Sequence, residues 1–495
     1  MTRAYVTVDE TSTLPTAVLE QLKTELDATY APLVPQSVEI PSALGWDTAR
    51  WPLTITRTEL PGMARPHGEC SLTPEAAFDS VSTARTAPGK VIYVDPVSGS
   101  NGNAGTQAFP VKALFQAIAL ANASGVPTKV MAKGGLYIRG NNFSNNGGDA
   151  TVDIAFVAYQ GRATVTTSDE FSAIADATNT NAYTQTVAAA TVNKVVDLTS
   201  RTTDGGYTEL VNVPTIALCN TTPGSWSHEG TVLSIHRQDG VAVTHGNTRA
   251  YRGRTRNFQI TRAVNLYFGG EFGNDGFDLE GGSSLGVIDV RPATVSPTQK
   301  VLALSNLTAR YGGGKIDAQA GRGVSVDGWH GLAIAKNVSA DFNQTDGFNL
   351  HATAAVAFSG LLTINCDAVD NGRLGGSSCN SHTLHEDAIG IDVCSRFERG
   401  HGGTIRNIGT SRALYAGTYI ADDRGDTYLA GGGTLPPAAV RIDESAKAWC
   451  DSTRTVMPAG GTEYATSVST AKIFKRNTWP TRTPDSGPIA SFAAY

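Results

Sequence analysis

Charge, cysteine, methionine and aromatic side chains are all scarce in this sequence. Only 17% of its 495 residues are charged and 7% are aromatic, with six cysteines and four methionines. Low charge together with 53 glycines argues against helical bundles and for turns and β structure. A net charge of −6 supplies no basic field for nucleic acid. The one basic run, RAYRGRTR with Arg249, Arg252, Arg254 and Arg256, reads as a solvated strand face or a contact for an anionic glycan. Cys70, Cys219, Cys366, Cys379, Cys394 and Cys450 show no CxxC spacing, so neither a zinc site nor a disulfide scaffold is expected, and free buried thiols are. No run has the length of a transmembrane helix, so membrane insertion is not expected. The opening MTRAYVTVDETSTLP lacks the apolar stretch of a secretory signal, from which synthesis in a reducing cytoplasm is expected. No P-loop, GxSxG or Rossmann pattern stands in a fitting context, and no cofactor is expected.

What is present is a repeat. NLTARY from Asn306, NVSADF from Asn337, NCDAVD from Asn365 and DVCSRF from Asp392 share a carboxamide or carboxylate start followed by near alternation. They step by 31, 28 and 27 residues, a period that belongs to units that bury their apolar face by stacking on neighbours. No amphipathic helix separates these strand-like segments, so a βαβ reading fails. The expected fold is all-β, a parallel β-helix with one strand of this register per coil and the asparagines in one column as an amide ladder. Such a solenoid grows in one dimension, which accommodates a chain too long for one compact domain. Cys366 and Cys394 then differ by one place, on opposite pleat faces, and do not bond. A second match aligns NLYFGGEFGNDGFDL from Asn265 with NVSADFNQTDGFNL, which makes Asp275-Gly276-Phe277 equivalent to Asp346-Gly347-Phe348, with Asp327 opening a looser copy.

Three regions are expected. Residues 1–89 read as an attachment and oligomerisation region. Its helix starts at Pro15 and carries Leu19, Leu22 and Leu26 on one stripe, which a trimeric seam or the chain's own domain would bury. Residues 90–411 are the β-helix, with a helix at about 110–123 and a β-rich insertion at about 180–256, where SWSHEGTVLSIHRQDG makes two strands around a turn. Residues 412–495, where the period fades, read as a β-rich cap or oligomerisation region. The segment KVIYVDPVSGSNGNAGTQAFPVKALFQAIALANASG resembles the opening of right-handed parallel β-helix proteins of the pectate-lyase-like superfamily, in which it forms a capping helix and first coil. LPTAVLEQLKTELDATYAP is similar to neck segments of phage tail proteins, and the chain resembles a bacteriophage tailspike or minor tail protein.

That resemblance implies a homotrimer of the virion tail. It would be held by tail or baseplate proteins, would bind host cell-surface glycan outside the host cell, and could cleave it. Hydrolysis needs two carboxyl groups at a set separation, and β-elimination needs a base and a cation. The richest supply of such groups gives the candidates Asp341, Asp346, Asp367 and Asp370, with an Asp341/Asp370 pair across adjacent coils. His385 or Glu386, in the cluster SCNSHTLHEDAIG, is the candidate acid or base; a solvated polar loop is the other reading of that cluster. His382 and His385 would point to opposite faces of a strand and make no metal site. Candidate sugar contacts are Trp329, Phe348, His351 and Arg396, although aromatic side chains also fill β-helix cores. A receptor-binding or structural protein without turnover, and a secreted bacterial polysaccharide lyase, are the alternatives.

Overall fold

The computed structural model describes residues 34–491 except 60–62, 64, 144–148, 172, 177–180, 189–190, 204, 254–255, 283–285, 315–320, 354–355, 373–378, 401–402, 423–436, 459–460 and 477–488. The helix expected from Pro15 lies outside the described residues. The chain winds as a parallel β-helix with three faces. The first face stacks Leu266–Gly270, Lys300–Gly312, Gly331–Ser339, Ser359–Ile364, Ile389–Val393, Arg412–Ala416, Lys447–Asp451 and Lys472–Arg476, each parallel to the next. The second face carries Gly276–Gly282, the later halves of Lys300–Gly312 and Gly331–Ser339, then Asp367–Val369, Arg396–Glu398, Tyr419–Ala421 and Arg454–Val456. The third face is a separate parallel sheet of eight strands from Phe258–Ile260 to Thr462–Thr466. Stacking continues past residue 411 through Lys472–Arg476 to Ile489–Ser491.

Most corners turn on one residue in the left-handed conformation. At the first corner these are Asn306, Asn337, Asn365, Cys394, Gly417 and Ser452, with φ between 51° and 66°. Pairing of Ser305 with Lys336, Lys336 with Ile364 and Ile364 with Val393 puts the three asparagines in one column and continues it into Cys394. Asn tolerates this conformation best among residues with a Cβ, which is why it marks the repeat. The fourth segment is displaced from the expected register. Asp392 pairs with Thr363 and points into the interior, where hydroxyls of Thr363 and Thr418 donate to it at 2.6 and 2.5 Å. Among the described bonds Asn306, Asn337 and Asn365 form no ladder of side-chain amides; the amide of Asn343 does donate to that of Asn371 across coils, at 3.0 Å. Asn365 clamps the backbone N–H and C=O of Gly68, both at 2.8 Å, and Asn306 donates to the carbonyls of Gly273 and Asp275.

The interior is one apolar column. Phe143, Phe156, Phe258 and Phe268 pack edge-on or stacked at one end, and the helix Leu114–Ser124 adds Leu114, Ala117, Ile118 and Ala121 beside the first coil. Phe115 of the same helix is only half-buried. The outward side of the first face is apolar too, through Leu332, Ile334, Leu362, Ile364, Ile391 and Val393. Strands apolar on both sides require a second layer. Residues 34–84 supply it: an antiparallel sheet of Gln36–Val38, Ile55–Thr58 and His67–Cys70, with Leu44, Trp46, Trp51 and Phe78, lies along that face. The insertion forms two small sheets with its own apolar cluster, and Ser225–Glu229 and Val232–His236 pair antiparallel around a turn as expected. All six cysteines are thiols, none in a disulfide; Cys70 is half-buried and the other five are buried.

Candidate functional site

The αL corners sort the candidate residues onto different sides of the coil. Pairing of Ser339 with Asp367 and of Asp367 with Arg396 places Asp341, Asp367 and Arg396 on the outward side of the second face. Asp346, His351, His385 and Glu386 belong to the third face and its far corner. Asp370 sits at the second corner with φ 57°, fully buried, and its N–H donates to the carbonyl of Glu398. The sequence candidates therefore do not converge on one groove.

On the second face the carboxylates are engaged. Asp341 accepts from the Ser339 hydroxyl at 2.5 Å and the Val369 N–H at 2.9 Å, and pairs with Arg310 at 3.2 Å. Burial raises its pKa against the pull of Arg310, and Asp367 raises it further. Asp367 is held between Arg65 at 3.3 Å and Arg396 at 3.0 Å. One coil group earlier, Arg162 pairs with Asp278 at 2.7 Å, and Glu280, buried and raised in pKa by that burial, meets the Tyr251 hydroxyl at 3.3 Å. The rings of Tyr207, Tyr311 and Phe342 continue this edge, Tyr311 stacking on Tyr251, Tyr207 and Phe342 at 5.4 to 5.8 Å. The basic run ends here as well. Arg249 and Arg252 are buried, facing Glu280 at 3.9 Å and Asp169 at 3.2 Å, so the expected solvated face is in fact the seam of the insertion.

Trp329 and Phe348 are no sugar contacts: both are wholly buried in the interior column. Asp346 is buried as well, pairing with Arg322 at 3.4 Å and accepting from Asn349 and the Asn380 N–H at 2.9 and 2.8 Å; burial raises its pKa. His382 points inward against Phe397 and Tyr415, so the two histidines of the cluster do face opposite sides.

The third corner differs. There the column runs Gly328, Ala352, Glu386, Gly409 and Glu444, fixed by the pairing of Leu350 with Leu384 and Asn407 with Ile442. Glu386 is half exposed and its Oε2 lies 3.3 Å from His351 Nδ1. Partial burial raises its pKa, and the neighbouring carboxylates Asp327, Glu444 and Asp387 raise it further. His351 stacks face to face on His385, ring centroids 3.8 Å apart and planes within 9°. Burial depresses both imidazoles, to about 4 and about 3, so both are neutral near pH 7. Ligand atoms of His351, His385 and Glu386 lie within 4.8 Å of one another. Parallel rings, however, hold their nitrogen lone pairs in parallel planes that do not meet at one ion, so the trio is a close contact of two stacked imidazoles with the Glu386 carboxyl and not a set of converging ligands. Glu444, exposed and two coils above Glu386, stands ~10 Å away by backbone, a distance two glutamate side chains can shorten to the ~5–9.5 Å used by glycosidase pairs. Glu444 escaped the sequence reading because the period was lost after residue 411.

The winding defines a parallel β-helix protein with an acid-bearing corner. No protein-family model and no curated protein matches the sequence. Among solved structures, it is similar to XylC in complex with xylose (9% identity, TM-score 0.39, covering 78% of this chain and 67% of that one). It is also similar to the GH136 lacto-N-biosidase from Eubacterium ramulus (9%, 0.34, 82% and 68%) and to the tailspike gp61 of Pseudomonas phage phi297 (11%, 0.22, 76% and 67%). At such low scores these likenesses carry nothing about what this chain does. No described helix is long and apolar enough to cross a membrane.

Proposed function

We propose that the protein binds a host cell-surface polysaccharide along its third corner and hydrolyses it there, as the tailspike of a phage tail. Glu386 is the general acid that protonates the leaving glycosidic oxygen. Glu444 is the second carboxylate, which activates water or attacks the sugar. The observation that carries this reading is Glu386 itself: among the candidate carboxyl groups it is the exposed one, 3.3 Å from His351, and its pKa is raised, the direction a general acid needs. His351 positions its carboxyl. In this reading the chain works as a homotrimer attached to tail or baseplate proteins, in the virion and outside the host cell.

New reducing ends from envelope polysaccharide, lost in Glu386→Gln, are the expected result. An unsaturated product detected by ultraviolet absorbance would assign β-elimination instead. One observation favours a second reading, binding without turnover: the carboxylates of the second face are engaged in ion pairs and hydrogen bonds. Glycan binding with no cleavage of any envelope polymer would select that reading.

A further inference from the structure

Beside the third corner, Arg412, Lys447 and Lys472 open three successive strands of the first face and stand directly over one another. Coils are ~4.8 Å apart, so this is a vertical row of like charges at the closest spacing the fold allows. Like charges directly opposite across a sheet are destabilising. Elsewhere on the molecule such cations have carboxylate partners: Arg310 meets Asp341, Arg396 meets Asp367 and Arg476 meets Asp451 across adjacent coils, and Arg406, opposite Arg441, pairs diagonally with Asp443. Among the described residues none of the three cations forms an ion pair. They line an open cleft of about 760 Å³ with the hydroxyls of Ser445 and Thr470, and its only carboxylate, Asp387, takes a hydrogen bond from Thr410. Lys472 is exposed and Arg412 and Lys447 are half-buried, the Arg412 guanidinium packing beside Gly45 of the covering layer.

We propose that this row is an anion-binding subsite, and that the polymer lying along the third corner is acidic, with its charged groups laid on Arg412, Lys447 and Lys472 and its sugar hydroxyls on Ser445 and Thr470. This rests on the reading that the corner binds a polysaccharide, and it adds the chemical class. The Lys ammonium groups and the Arg guanidinium suit either carboxylate or phosphate, so uronic-acid polymers and polyol-phosphate polymers are the two sources of the same chemistry. The row begins on the coil of Gly409, one coil above Glu386, and rises through the level of Glu444 to one coil beyond it, so a chain anchored on it passes Glu444 and reaches Glu386 by extending one coil further.

The test is direct binding of polygalacturonate, poly(glycerol phosphate) and neutral dextran to the full chain by affinity electrophoresis, at low and raised salt. Expected is retention by at least one polyanion, none by dextran, and a loss with salt. The double variant K447Q/K472Q, checked for an unchanged melting curve, is expected to bind ~10-fold or more weakly, about 1.4 kcal/mol. Whichever polyanion is retained identifies carboxylate or phosphate. Retention of neither, or a double variant that binds like the parent, overturns the subsite. Glu386→Gln separates this from hydrolysis. If it retains the polyanion while no polymer yields reducing ends from the parent, the hydrolytic reading falls and the subsite stands; cleavage of a neutral polymer with no polyanion retained does the reverse.

Discussion

On the second face, Arg162 holds Asp278, Arg310 holds Asp341, and Arg396 holds Asp367. At the third corner and its flank, Glu386 and Glu444 are exposed and the stacked cations beside them have no carboxylate partner among the described residues. Both regions are polar columns of the same winding, with similar residue types. The difference is whether the coil above or below supplies the opposite charge. Where it does, the charge is spent on the winding; where it does not, it remains available to a ligand. A list of acidic residues cannot separate the two cases, because partner and acid are usually a full coil apart in sequence.

Glu386→Gln separates the regions most sharply. It is expected to lower turnover by ~10²–10⁴-fold with folding unchanged, read as reducing ends per folded molecule. An equal loss from Asp367→Asn at unaltered stability would move the active face to the second side. Asp341→Ala is expected to do the opposite of Glu386→Gln. It strands the Arg310 guanidinium in a largely buried site and should cost roughly 3 kcal/mol, seen as a lower denaturation midpoint, while turnover of the folded fraction persists.

How much of this was legible in the sequence varies by residue. Asn306, Asn337 and Asn365 announced their column because Asn enters the left-handed region most readily. Cys394, next in that column, gave no such signal: its φ of 56° is imposed by the coils on either side, so the register slipped to Asp392. The Asp-Gly-Phe match failed for a related reason. Phe277 pairs with Leu307 on the second face while Phe348 pairs with Val324 on the third, so similar words occupy different sides of the coil. RALYA, KAWCD and KIFKR, each opening with a cation and an apolar residue, were a readable sign of stacking beyond residue 411.

A third expectation concerns acid. His351 and His385 are held neutral in the fold, at about 4 and about 3, but titrate near 6.5 when unfolded. The unfolded chain therefore binds more protons below pH 6.5, and stability should fall as pH drops from 6.5 through 4. Asparagine at both positions should flatten that slope in melting curves. The smallest effect is expected from Asp327→Asn. Removing one of the charges that raise Glu386 should move the alkaline limb of the pH–rate profile to lower pH, a shift absent if Glu386 is not the acid.

The sequence by itself determined the winding: its period, its αL asparagines and strands apolar on both sides leave stacked coils under a covering layer as the way to bury that surface. Only the tertiary structure decided which charges are free to act. Asp367 is neutralised by Arg65, 302 residues away, and by Arg396 on the next coil, while Lys447 stands between the like charges of Arg412 and Lys472. Electrostatic availability is set by what lies within a few ångströms across coils, and the covering strand and the coil above bring those groups together from distant parts of the chain.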